Sequence, residues 1–198
     1  NGGAIYCGNY SKVKIDNTEI SENKADSTMQ NLGYGGGIYT TSYSVLEIIN
    51  QSKIMNNTSK SYGGGIYDYG NSEIKIQSAT ISENIADNKS GGGIYVNRYS
   101  LLEILDENTE IKNNIAGTTG GGITTSGIVV LHGGKINSNT AGTYGGGVRI
   151  TDTGKFIMLG GEIKENTGSA TVGGISISGK FIIDKEYSEF VKDRKSDV

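Results

Sequence analysis

The chain has 198 residues, a formal net charge of −3, thirty-two glycines, and no proline or tryptophan. Glycine enrichment without proline or a G-X-Y period excludes collagen, and the Ile, Val and Tyr between the glycines argue against a disordered chain. With no basic stripe there is no electrostatic reason to propose nucleic acid as a partner, the lone Cys7 rules out an intrachain disulfide, and no apolar run is long enough to span a bilayer.

The chain opens mid-pattern on Gly2-Gly3-Ala4-Ile5-Tyr6, which reads as the start of a segment of a longer protein. An alternating pair, Val13 and Ile15, follows, and then Ile20 with Asn23 three residues on. The same three points return as Gly35–Tyr39, Leu46/Ile48 and Ile54/Asn57, then as Gly63–Tyr67, Ile74/Ile76 and Ile81/Asn84. They continue through Gly91–Tyr95, Leu102/Ile104, Ile111/Asn114 and Gly120–Thr124, Val129/Leu131, Ile136/Asn139. The last units are Gly145–Arg149, Phe156/Met158, Ile163/Asn166, and a worn Gly173-Gly174-Ile175 with Phe181/Ile183. Self-similarity at this spacing, with short β-branched segments and no helix-length apolar stripe, predicts an all-β solenoid. The expected fold is a right-handed, single-stranded parallel β-helix with three strands per rung and about seven rungs, a rod roughly 30 Å long at about 4.8 Å per rung. The β-helix spans 1–183, and 184–198 is a charged tail.

The glycines are assigned to the corner before the first strand, where stacked backbones leave no room for Cβ and favour positive φ. The Asn column is assigned to a second corner, as a ladder of amides bonding one another and the turn backbone.

The Gly2-Gly3-Ala4-Ile5 tetrapeptide and the GGGI copies after it, alternating with the I-x-x-N motif, resemble the GGAI and FxxN repeats of the polymorphic outer membrane proteins. This chain has Ile where those repeats have Phe, so it is closer to the wider class of adhesin-like bacterial and archaeal surface proteins. The resemblance covers nearly the whole chain to Ile183. It implies an extracellular, cell-surface or secreted, autotransporter-like segment that forms a stalk or presents a binding surface, without catalysis. The implied partner is a host or environmental glycan or a surface protein, with no membrane insertion by this segment.

The alternative is a carbohydrate-active β-helix enzyme, a polysaccharide lyase or glycoside hydrolase, which would need clustered carboxylates on neighbouring rungs. The outward column of the second strand, Lys14, Glu47, Lys75, Glu103, Val130, Ile157 and Ile182, instead alternates in sign and then turns apolar, which predicts ion pairs from rung to rung. The best catalytic grouping is His132 with Arg149 and Asp152 one rung on, and it lacks a second carboxylate. No residue pattern calls for a metal or a cofactor.

The aromatic columns carry the binding expectation. Tyr6, Tyr39, Tyr67 and Tyr95 point outward if their isoleucines point inward, giving a tyrosine ladder over the first four rungs as the candidate ligand-binding face, or else a stabilising stack. Tyr10, Tyr43 and Tyr99 recur five residues after the same isoleucine, each followed by Ser, and Tyr34, Tyr62 and Tyr144 precede the glycines. In the tail, Tyr187, Phe190 and Val191 fall on one side of a short helix that would cap the open end of the rod.

Overall fold

The computed structural model describes residues 2–27, 33–170 and 172–184. It is a parallel β-helix. Four sheets run along it, two of seven strands and two of six, and every strand pairs in parallel with its copy one rung away. The third rung is representative: Ile66–Asp68, Glu73–Ile76, Thr80–Ser82 and Ile85–Ala86 supply one strand to each sheet in turn. The register follows the repeat, with Ile66 opposite Ile38 and Ile94, and Ile74 opposite Leu46 and Leu102.

A rung thus has four strands where three were expected, six rungs being complete and a seventh contributing two strands. The fourth strand is only two residues long and too short to show alternation. Its inward position is held by Ala25, Ser59, Ala86, Ala116 and Ala141, all buried, because the strand lies directly against the glycine corner.

That corner explains the glycine triple. Gly63 has φ +65°, in the left-handed region. A Cβ on Gly64 would lie 2.3 Å from the Gly92 carbonyl oxygen and 2.6 Å from the backbone of Ile85 in the fourth strand. A Cβ on Gly65 would lie 2.8 Å from the Gly93 carbonyl oxygen and 3.0 Å from the Asn84 carboxamide. The first position needs glycine for its backbone angle, the second for backbone contact, and the third for backbone contact and the amide ladder together.

The ladder itself is continuous. Nδ2 of Asn23, Asn57, Asn84, Asn114 and Asn139 donates to Oδ1 of the next asparagine, from Asn57 to Asn166, at 2.9–3.1 Å. Each of those acceptors also takes the backbone N–H of the previous asparagine, and the second amide hydrogen of Asn84 goes to the Ile54 carbonyl at 2.9 Å. The residue before each asparagine (Glu22, Asn56, Glu83, Asn113, Ser138, Glu165) turns the chain with φ of 54–59°. The amides are buried yet fully bonded, the condition under which buried polar groups cost little.

The inward Ile, Leu and Val columns form the core, with Phe156 the largest fully buried side chain. On the outer faces four of the ion pairs run along strands, while Lys60 reaches Asp87 on the next rung at 3.8 Å. Lys14 bridges Asp16 at 2.9 Å, Lys75 bridges Glu73 at 2.6 Å, Lys164 bridges Glu162 at 2.9 Å, and Lys112 bridges Glu110. The expected rung-to-rung bridges give way because each of these lysines has an acid two residues along on its own face. Outward does not mean exposed everywhere: Glu103, Val130 and Ile157 are each only 3% exposed. The predicted cap residues Tyr187, Phe190 and Val191 lie outside the described residues.

Candidate functional site

The predicted ladder exists but is not an open face. Tyr6, Tyr39, Tyr67 and Tyr95 stack at centroid separations of 5.4, 5.3 and 5.4 Å. Tyr34 and Tyr62, from the residues ahead of the glycines, lie against them, Tyr34 on Tyr67 and Tyr62 on Tyr95, both at 4.9 Å. Tyr39 and Tyr67 are therefore only 6% and 8% exposed, and burial pushes the Tyr39 hydroxyl up to about 12 and that of Tyr67 further. Of the four, only Tyr6 at the end of the stack is exposed. The expectation of a flat exposed ladder is corrected by this second tyrosine column, which leans over the first.

The exposed tyrosines stand at the other end of the first strand, on the turn into the second. That turn comprises residues 8–11, 41–44, 69–72, 97–100 and 151–154 in five rungs, but only 126–127 and 178–179 in the others. In the first four rungs its third residue is left-handed: Tyr10 at φ 60°, Tyr43 at 61°, Asn71 at 57° and Tyr99 at 64°. The serine after it stitches the turns together. Ser44 Oγ donates to the Thr41 and Gly8 carbonyls, Ser72 Oγ donates to the Thr41 carbonyl, and Ser72 N–H donates to Ser100 Oγ at 3.0 Å. With the serines bonded inward, the preceding side chains are thrown outward.

Tyr10 and Tyr43 stack at 5.1 Å with their planes 7° apart. On the third rung Asn71 replaces the ring, and on the fifth the turn is too short to supply one. Among the described residues Tyr99 accordingly has no ring neighbour; it is 83% exposed, with an open groove on each side. One groove, of about 360 Å³, lies over Asn71 between Tyr43 and Tyr99, with Ser72 and Glu73 also lining it. The other, of about 260 Å³, is lined by Arg98, Tyr99, Gly127 and Ile128.

Beneath the turn is Asp68, fully buried at the end of the first strand. Its Oδ1 accepts from Thr40 Oγ1 at 3.1 Å and from Gly70 N–H at 3.2 Å, and its Oδ2 accepts from Asn97 N–H at 3.0 Å. Burial raises its pKa, with hydrogen bonds from Ser100, Ser72, Asn97 and Gly70 opposing. Sequence reasoning passed over Asp68 and Asn71, though both had a signal. Asp68 sits two residues after an inward isoleucine, hence inward, and Asn71 interrupts the Tyr-Ser recurrence.

The His132, Arg149 and Asp152 grouping is not assembled. His132 Nε2 faces Glu103 Oε1 at 3.5 Å across the second sheet, while Arg149 on the first sheet donates to Ser176 Oγ at 2.8 Å and Ser178 Oγ at 2.7 Å. Asp152 lies in the turn of the sixth rung. Among the described residues no group of three or more His, Cys, Asp or Glu is placed to hold a metal, and no helix is long and apolar enough to cross a membrane. No protein-family model matches the chain, and neither a curated protein nor a solved structure shows significant similarity to it.

Proposed function

We propose that this chain is part of an extracellular, adhesin-like surface protein, a rigid rod that presents a binding surface and performs no catalysis. The observation that carries this reading is the row of exposed tyrosines, Tyr10, Tyr43 and Tyr99, held outward on left-handed turns along one edge of the rod. A bulky residue with positive φ is costly, and Asn or Gly would hold the same turn at less cost. Large amphipathic rings with few rotatable bonds suit a surface that must bind without losing much entropy.

Binding of the labelled chain to intact cells and to immobilised glycans, with product analysis on the same samples, tests the reading. Retention without new chain ends is the expected result. New reducing or unsaturated sugar ends, with or without Ca²⁺, would instead establish the carbohydrate-active enzyme.

A further inference from the structure

We propose that the groove over Asn71, between Tyr43 and Tyr99, is a binding subsite for one uncharged pyranose ring of a glycan chain; this rests on the reading of the rod as a binding surface. The geometry is that of a stack with one member missing. Tyr10 and Tyr43, on successive rungs, lie ring on ring at 5.1 Å, and Tyr43 and Tyr99 occupy the same turn position two rungs apart. The space between the latter two is therefore that of a single ring, and Asn71, with the same left-handed backbone, leaves it empty.

The walls and floor of the groove select the occupant. Two aromatic faces suit the apolar C–H faces of a pyranose, which is flat, apolar above and below, and polar around its rim. The floor supplies polar partners for that rim: the Asn71 carboxamide, to which no other described residue is bonded, and the Glu73 carboxylate. Glu73 is paired with Lys75 at 2.6 Å, so the floor carries balanced charge and offers no cation for an acidic sugar. A bare aromatic ligand would fill the slot but leave the floor unpaired. The Asp68 carboxylate below, bonded to the turns of the third and fourth rungs, holds Gly70 and Asn97 in place and so fixes the separation of the walls.

The test is an NMR titration of the whole chain with neutral hexaoses of β-1,4-glucose, β-1,4-mannose and β-1,4-galactose, with hexagalacturonate and phenol as comparators. At least one neutral hexaose is expected to shift Tyr43, Asn71 and Tyr99 together. Asn71→Tyr supplies the missing ring on a backbone that already carries tyrosine on three other rungs, so it should fold and weaken that sugar at least about tenfold, as should Tyr99→Ala. Lys164→Ala, on the third sheet away from the tyrosine row, should leave affinity within about twofold. The subsite is overturned if no neutral hexaose shifts these residues, if only hexagalacturonate or phenol does, or if Asn71→Tyr binds like the parent. A sugar that binds elsewhere on the rod would sink the subsite and leave the binding-surface reading standing, whereas cleavage of the hexaose would sink that reading.

Discussion

The two ends of the first strand carry tyrosines to opposite effect. Before the strand, Tyr34 and Tyr62 fold over the Tyr39–Tyr67–Tyr95 stack, and the chain is closed down to backbone contact at the glycines. After it, Tyr10, Tyr43 and Tyr99 stand on turns that leave their rings in solvent. The residue type is the same and the rung spacing is the same. What differs is whether a second column is near enough to cover the rings: aromatic recurrence in a solenoid is structural where two columns lean together and available for binding where one stands alone.

The most severe way to break the closed end is Gly64→Val. The new Cβ would meet the Gly92 carbonyl at 2.3 Å and the Ile85 backbone at 2.6 Å, neither of which can yield without disturbing the rung registers. A loss on the order of 5 kcal/mol, or failure to fold, is expected. At the open end, Asn71→Gly keeps a left-handed residue in a solvated turn and should change stability by less than about 1 kcal/mol. Urea unfolding of both variants checks the contrast, and comparable losses would end it.

Next in size is the amide ladder behind the glycines. Asn84→Leu removes the acceptor used by both N–H donors of Asn57 and takes one donor each from the Ile54 carbonyl and from Asn114 Oδ1, which keeps only the backbone N–H of residue 84, all in the buried interior. A cost of about 4 kcal/mol is expected. Asn166→Leu, at the half-buried end of the ladder, should cost less, because it strands ladder partners on one side only, the two donors of Asn139. Equal losses in denaturant would mean that the ladder is not cooperative.

These two columns were legible in the sequence because each rung repeats one residue type at one place, and geometry admits few reasons for that. The parallel β-helix, its inward columns, the glycine corner and the Asn ladder all followed. The fourth strand did not, since Thr58-Ser59 or Thr140-Ala141 carries no alternation and its identity depends on the backbone lying beside it. The exposure of the tyrosines was illegible for a related reason. Period alone says which way Tyr67 points, but only the lateral approach of Tyr34 and Tyr62 says that it is covered. Likewise the freedom of Tyr99 depends on two departures from the repeat, Asn71 on one side and the shortened turn at 126–127 on the other.

The aromatic contrast itself comes third. Tyr67→Ala removes a ring packed against Tyr39 at 5.3 Å, Tyr95 at 5.4 Å and Tyr34 at 4.9 Å, and should cost about 3 kcal/mol. Tyr99→Ala buries nothing less and should lie within about 0.5 kcal/mol of the parent. The same burial has an alkaline signature. The pKa values of Tyr39 and Tyr67 are raised above the usual 10.0, chiefly by desolvation, so their contribution to stability is fully present below pH 10.0 and is lost as pH rises towards 12 and beyond. Phenolate absorbance of the folded chain should therefore leave these rings un-ionised until unfolding releases them. Smooth ionisation of every tyrosine before unfolding would contradict the closed stack.

The smallest expected effect separates two carboxylates by sign. Asp68, under the open edge, has its pKa raised by burial, so its contribution is fully present below the usual 3.8 and is lost as pH rises through the folded-state value. Asp106, on the corner after the second strand, also suffers desolvation, but donors from Ser78 and Thr109 hold its pKa below the usual value. Its contribution is present above 3.8 and is lost as pH falls. Replacing Asp68 by Thr, the residue of the same column at Thr40 and Thr125, removes the titration with a side chain the column already accepts. The stability difference between the parent and Asp68→Thr, taken from urea midpoints at about pH 7 and about pH 3.5, should shift in the parent's favour at the lower pH. The same comparison for Asp106→Ser should shift against the parent only on going below about pH 4. If the Asp68 difference moves the other way, the carboxylate is stabilised in its charged form by its donors, and the turn beneath Tyr43 and Tyr99 is held by an ion whose hydrogen bonds outweigh its burial.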